Sequence, residues 1–142
     1  MEEFYPMPMF VTLEVTDLSS SAEWYQQALG FRVVYGGPPG ASTLVHLRRE
    51  RYQDILLVPT PENCPSQRGT GVTIQFQAGG VSVEAIARGA RSAGAVDVEG
   101  PVERPWNVRD VTLCDPDGYR LRFSEPLDIT RSFEDVMGQL EE

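Results

Sequence analysis

One order of predicted elements occurs twice along the chain, and this duplication constrains the fold more than any other feature. Each copy predicts a strand, a helix and three further strands, at about residues 9–60 and 71–125. Residues 59–71 are rich in proline, glycine and polar residues, which is typical of a linker. We therefore expect an α+β protein built from two βαβββ modules.

The first copy begins with a clear strand pattern. The segment "MFVTLEVT" at residues 9–16 alternates, with Leu13 and Val15 on one side. Asp17 then offers an N-cap, and Gly30 a left-handed stop, for the helix that follows. Three short strands are expected after the helix, at Arg32–Tyr35, Thr43–Arg48 and Asp54–Val58.

The second copy repeats this order. "VTIQFQ" at residues 72–77 predicts a strand, and a helix should begin at Ser82 and stop at Gly94. In "DPDG", Pro116 pre-sets φ and Gly118 takes the left-handed position of a tight hairpin turn. Three strands complete the copy, at Val96–Val98, Val108–Leu113 and Tyr119–Phe123.

The chain ends predict two appended segments. Residues 1–8 contain two prolines and form an expected N-terminal arm before the domain at 9–126. Residues 127–142 predict a C-terminal helix with one apolar face. That face consists of Ile129, Phe133, Val136 and Leu140.

Composition excludes several partners. The net charge is −9, and an acidic surface repels the nucleic acid backbone. No apolar run approaches the roughly 18 residues of a membrane helix, and the start of the chain lacks the pattern of a signal peptide. Cys64 and Cys114 lie far apart without a CxxC motif. We therefore expect a cytoplasmic protein without disulfides or a zinc site, and no nucleic acid or membrane partner.

Two motifs carry a resemblance to a known family. "VTDLSSSAEWYQQALGF" at residues 15–31 and "DPDGYRLRF" at 115–123 resemble the vicinal oxygen chelate superfamily. That superfamily includes glyoxalase I, extradiol dioxygenases and the bleomycin-resistance proteins. The resemblance implies that each module curls into a half-barrel with its helix outside. It also implies a central cavity, often formed across a homodimer.

Enzymes of that superfamily hold a metal with His, Glu or Gln from the first and last strands of each module. The resemblance carries the four ligand positions onto Phe10, Leu57 (Leu56 if the register shifts by one), Thr73 (or Val72) and Arg122. Phe10, Leu57 and Arg122 offer no donor for a divalent ion, and Thr73 offers a weak one. A guanidinium at about 4 Å would also repel the ion by several kcal/mol at an effective dielectric near 20. We therefore expect no metal and no other cofactor.

Glu14 should share the cavity side of the first strand with Phe10 and Thr12, by alternation. A carboxylate there needs a partner. It either recognises a ligand or forms a structural ion pair with Arg122 or Arg120. Both alternatives stay open at this point.

Two further residues complete the predicted ligand-binding set. Gln75 lies opposite the apolar side of its strand, where an amide can donate and accept hydrogen bonds. Trp106 lies in "PWNV", which is similar to a "PWG" segment of the bleomycin-resistance proteins, with Asn107 in place of glycine. An exposed tryptophan offers a stacking surface for a flat aromatic ligand.

The resemblance and the missing donors favour a binding protein over an enzyme. We expect a homodimer that sequesters an aromatic or cationic natural product, such as an antibiotic, and so confers resistance. The alternative is a metal-dependent lyase, isomerase or dioxygenase of the same superfamily. Its candidate residues would be Glu14, His46, Asp54 and Glu103.

Overall fold

A computed structural model describes residues 3–36, 43–61 and 68–141. The first module follows the predicted order, with its strands within two residues of the expected bounds. Its elements are β1 (Val11–Val15), α1 (Leu18–Leu29), β2 (Arg32–Tyr35), β3 (Val45–Arg48) and β4 (Asp54–Pro59).

The second module repeats the order, and a third helix follows it. Its elements are β5 (Thr73–Gln77), α2 (Val83–Ser92), β6 (Glu99–Arg104), β7 (Val108–Cys114) and β8 (Arg120–Pro126), followed by α3 (Phe133–Leu140). The predicted α+β class with two βαβββ modules is confirmed. The middle of the linker, residues 62–67 with Cys64, lies outside the described residues.

The strand expected at Val96–Val98 is wrong, because β6 begins one residue later, at Glu99. Gly94 and Asp97 both adopt left-handed backbone conformations, with φ of 91° and 57°. These angles are incompatible with an extended strand, so the valines belong to the turn after α2.

Both modules form a four-stranded sheet of the same topology. Sheet A has the order β1-β4-β3-β2, and sheet B has the order β5-β8-β7-β6. In each sheet the first and last strands of the module pair in parallel, and the other neighbours pair antiparallel. The duplication in the sequence is therefore a duplication in topology.

The helices begin and end where the sequence provides caps. Asp17 accepts a hydrogen bond from the backbone N–H of Ser20, and Gly30 ends α1 with φ of 74°. Ser82 accepts one from the N–H of Ala85 at the start of α2. Each such cap stabilises a helix by about 1 kcal/mol.

One hydrophobic core serves both modules. Phe76 and Phe123 of the second module stack with ring centroids 5.0 Å apart. Phe31 of the first module meets Phe76 edge-on at 5.9 Å, and Tyr25 meets Phe31 at 5.5 Å. Because aromatic pairs contribute about 0.5–1.5 kcal/mol beyond their buried area, this row of rings joins the modules.

The β7–β8 turn also bonds to the first module. Asp115 accepts a hydrogen bond of 2.6 Å from the Tyr25 hydroxyl, and burial raises the pKa of this carboxyl. Asp117 accepts hydrogen bonds from the N–H and hydroxyl of Thr16 and pairs with Arg68 at 3.0 Å. These turn residues therefore also fix how the modules pack.

The β3–β4 turn makes the reciprocal contact with the second module. Arg49 donates to the carbonyl oxygens of Gln77 and Ala78, at 3.2 and 2.6 Å. Gln53 donates to the same Gln77 oxygen at 2.8 Å. Each module thus places its last hairpin against the end of the other module's first strand.

The two appended segments differ in how they pack. In the N-terminal arm, Tyr5 is buried against sheet A of its own chain. The C-terminal helix α3 begins at Phe133, so Ile129 of the predicted apolar face precedes the helix. In α3 only Val136 is buried, whereas Phe133, like Ile129, is largely exposed. Among the described residues, no helix has the length and apolar character that a bilayer crossing requires.

We predict that Tyr25→Phe lowers the free energy of unfolding by about 1–3 kcal/mol, because the buried Asp115 carboxyl loses its hydroxyl donor. Denaturant titration of the variant and the wild type measures the difference. Tyr35→Phe is the matched control, since Tyr35 is 57% exposed. Equal losses in the two variants would contradict the role of the Tyr25 hydroxyl.

Candidate functional site

Each sheet has one face buried in the core and one face, here called the polar face, that points away from it. On sheet B, Leu121 and Phe123 of β8 are fully buried, so Arg122 between them points to the polar face. The strand register places Gln75 of β5 on one side of Arg122 and Thr112 of β7 on the other. The predicted cavity-side positions of Gln75 and Arg122 therefore lie next to each other.

Arg122 lines a cavity of about 340 Å³, here called the polar pocket. Its Nε donates a hydrogen bond of 3.0 Å to Oγ1 of Thr112, which is itself buried. The pocket is lined by Asp97, Glu99, Thr112, Leu113, Cys114, Arg120 and Arg122. Sequence reasoning found Arg122 here but missed Thr112, although both occupy the same alternating face.

The surroundings of the Cys114 thiol in the polar pocket disfavour its ionisation and raise its pKa. Burial raises this pKa, the nearby Arg120 guanidinium opposes the change, and the carboxylates of Asp97 and Glu99 add to the increase. Because the thiolate is the nucleophilic form, this environment disfavours covalent chemistry.

A second cavity of about 460 Å³, here called the apolar groove, lies between the start of β1 and β5. It brings together three predicted ligand-binding residues, Phe10, Thr73 and Gln75. The rest of its wall is Met9, Val11, residues 51–54, Val72, Ile74, Phe76 and Gln77. Since Gln75 pairs with Arg122, the groove and the polar pocket lie on neighbouring strands.

The prediction that Leu57 lines a cavity is wrong. Leu57 is fully buried and pairs with Leu13 and Val45, which belong to the same hydrophobic core. The alternative, Leu56, pairs with Thr12 and His46 on the polar face of sheet A. The apolar run "ILLV" does not alternate in polarity, so the register was ambiguous by one residue.

Thr12 and Glu14 lie on the polar face of sheet A, where Thr12 is exposed and Glu14 half-buried. The backbone oxygen of Glu14 accepts hydrogen bonds from Arg68 and Tyr119. The ion pairs formed by the described residues do not include the Glu14 carboxylate. Within one chain, the Glu14 carboxylate therefore does not form the alternative ion pair with Arg120 or Arg122.

Trp106 lies in the turn between β6 and β7, and 49% of its surface is exposed. Asn107 after it has φ of 68°, a left-handed angle that asparagine tolerates better than most residues. The Asn107 side chain also exchanges hydrogen bonds with the backbone of Asp128. Trp106 does not line the polar pocket or the apolar groove within one chain.

Sequence reasoning missed a buried cluster under the N-terminal arm. Asp54 accepts hydrogen bonds from the Tyr5 hydroxyl at 2.6 Å, Arg48 Nε at 2.8 Å and His46 Nε2 at 2.7 Å. Burial by itself would raise the pKa of Asp54, but these donors together lower it. Alternation places His46, Arg48 and Asp54 on one face, whereas no pattern indicated Tyr5.

The residues that the motif resemblance assigns to the superfamily's metal positions do not fit a metal ion. Phe10, Leu56 or Leu57, and Arg122 provide no metal donor, and Thr73 provides only a hydroxyl. Within residues 3–36, 43–61 and 68–141, no three His, Cys, Asp or Glu side chains lie close enough to hold an ion. Of the enzyme candidates, Asp54 is already bonded to an arginine, and Glu103 lies on the other sheet.

The chain belongs to the Glyoxalase/Bleomycin resistance protein/Dioxygenase superfamily, whose family model matches residues 9–123. No curated protein sequence matches the chain. The resemblance of the two motifs to this superfamily is thus confirmed.

Solved structures of similar fold include proteins of this superfamily. A glyoxalase/bleomycin resistance protein from Streptomyces sp. CB03234 is 19% identical, with a TM-score of 0.64 over 82% of this chain and 97% of that one. TnmS3, an antibiotic binding protein from the same strain, is 20% identical, with a TM-score of 0.64 over 89% and 98% of the two chains. The integron cassette protein HFX_CASS4 from the mobile metagenome of a Halifax Harbour sewage outfall is 25% identical, with a TM-score of 0.65 over 81% and 94%.

We predict that Asp54→Asn lowers the free energy of unfolding by about 3–5 kcal/mol at pH 7, because it removes the charged partner from the buried Arg48–Asp54 ion pair. The lowered pKa of Asp54 means that its stabilisation is present above the unfolded-state value near 4 and is lost as the pH falls through the folded-state value. Denaturant titration should therefore give a smaller difference in unfolding free energy between the wild type and Asp54→Asn at about pH 3 than at pH 7.

The control for this prediction is Glu3→Gln, which breaks the exposed ion pair with Arg51. Such a pair contributes about 0–1 kcal/mol. If the difference in unfolding free energy between the wild type and Asp54→Asn stays constant down to about pH 3, the charge of Asp54 does not contribute to stability.

Proposed function

We propose that this protein binds a small organic molecule, an antibiotic or similar natural product, without a metal ion, and that it confers resistance by sequestration. The domain at residues 9–126 would carry the site, flanked by the arm at 1–8 and the helical segment at 127–142. No bond of the ligand would be broken, because burial alone lowers its free concentration.

The observation that carries the proposal is Arg122 on the polar face of β8. This position corresponds to the last metal-ligand position of the superfamily, and the side chain is fixed there by Thr112. A fixed guanidinium repels a divalent cation and offers hydrogen-bond donors to an organic ligand. The polar face therefore suits an organic ligand better than a divalent metal ion.

The apolar groove supports the same proposal. Its volume of about 460 Å³ lies in the range of small-molecule sites, and Phe10 at 46% exposure offers an aromatic surface. Thr73 and Gln75 add polar groups that can orient a ligand. The similar fold of TnmS3, which is an antibiotic binding protein, also supports such a ligand.

We also propose that two copies assemble, so that Trp106, Glu14 and Thr12 contribute to a site completed by the second copy. The exposed apolar residues Ile129 and Phe133 favour such an interface. Light scattering should then give a mass of about twice 15.8 kDa. A mass of a single chain at working concentration would contradict the dimer.

A thermal-shift screen against antibiotics tests the proposed function. A ligand at 100 times its Kd adds about 2.7 kcal/mol to stability. The screen should identify at least one antibiotic whose binding survives dialysis against a chelator. Stoichiometric bound metal that restores an activity after chelation would favour the enzyme alternative instead.

We predict that Phe10→Ala weakens binding of a ligand found in this screen by about 10- to 100-fold, since burying an aromatic side chain contributes about 1.5–3 kcal/mol. Calorimetric titration measures the change. Phe4→Ala is the matched control, because Phe4 is 99% exposed and lines neither the apolar groove nor the polar pocket. Equal weakening by the two substitutions would remove the apolar groove from the site.

A further inference from the structure

We propose that the ligand carries an anionic group, a carboxylate or a chemically similar planar acid, and that Arg122 binds this group in the polar pocket. The inference rests on the proposed function and specifies its ligand class. It departs from the cationic ligand that the sequence had suggested.

The hydrogen bonding of Arg122 leaves its outer edge available. The Nε–H donates to Thr112, which fixes the plane of the guanidinium. Within the described part of the chain, the two terminal nitrogens of Arg122 make no hydrogen bond and no ion pair. A guanidinium that is oriented at Nε and open at its terminal nitrogens matches the two oxygens of a carboxylate.

Burial distinguishes Arg122 from the other arginines of these sheets that lack a carboxylate partner. Arg48, Arg104 and Arg109 each bond to a carboxylate of the chain, whereas Arg120 makes no ion pair among the described residues but is exposed. Arg122 is half-buried and lacks such a partner among the described residues, although an unpaired charge is costly to bury. A ligand acid would supply the missing partner.

The surroundings of Arg122 favour an anion at that end of the pocket. Its neighbours across the strands, Gln75 and Thr112, are uncharged. Arg120 lies two residues away on the same face of β8, about 7 Å along the strand. It adds a second positive charge and also lines the pocket.

The pocket also contains two acidic residues, Asp97 and Glu99. Glu99 is on β6 opposite Thr112, two strands from Arg122, which corresponds to a backbone separation of about 10 Å. The uncharged Thr112 therefore separates Glu99 from Arg122 in the strand register, and we expect the ligand acid at the β8 side of the pocket.

The test uses two probes with the same ring system, 2-naphthoate and its uncharged amide, 2-naphthamide. Calorimetric titration gives the Kd of each probe for the wild type, Arg122→Gln and Arg88→Gln. Arg88 is exposed on α2, so its substitution changes the net charge equally and leaves the pocket intact. Circular dichroism and the Tm establish that each variant is folded.

The wild type and Arg88→Gln should prefer the naphthoate by about tenfold or more, and Arg122→Gln should bind both probes within about twofold. Arg122→Lys, which keeps the charge without the planar fork, should retain part of the preference and serves if the glutamine variant does not fold. Equal affinity of the wild type for both probes would overturn the inference and leave the proposed function standing. Binding of neither probe would also overturn it, and the antibiotic screen then decides the proposed function separately.

Discussion

The register of β8 between β5 and β7 is the constraint on which the site depends. Leu121 and Phe123 are fully buried, and a slip by one residue would force Arg120 and Arg122 into the core. The hydrophobic effect therefore fixes the direction of a charged side chain that itself contributes little to folding. The same alternation carries Gln75 and Thr112 to positions beside it.

Among the described residues, the buried charged side chains elsewhere are hydrogen-bonded, and these bonds build the architecture. Asp115 joins the modules through Tyr25, and Asp54 holds the N-terminal arm through Tyr5. Each carboxylate accepts several hydrogen bonds, which compensates the cost of burial. Arg122 contrasts with them, because within the described residues it is bonded only at Nε.

The two cavities lie on adjacent strands and offer different side chains to a ligand. The apolar groove offers Phe10 and the edge of β5, and the polar pocket offers Arg122 and Thr112. A ligand with an aromatic body and an acidic group would match both surfaces. Gln75 of the groove is opposite Arg122 of the polar pocket in the strand register, so the two surfaces lie on neighbouring strands.

The sequence by itself determined the two βαβββ modules, the helix caps and the cavity side of Gln75 and Arg122. Period-two alternation, cap chemistry and the "DPDG" turn are local properties, so one chain segment suffices to recognise them. Only the tertiary structure decided that Leu57 belongs to the core, that Tyr5 bonds to Asp54 and that Trp106 is separate from both cavities. These outcomes depend on contacts between residues far apart in sequence, which no local pattern encodes.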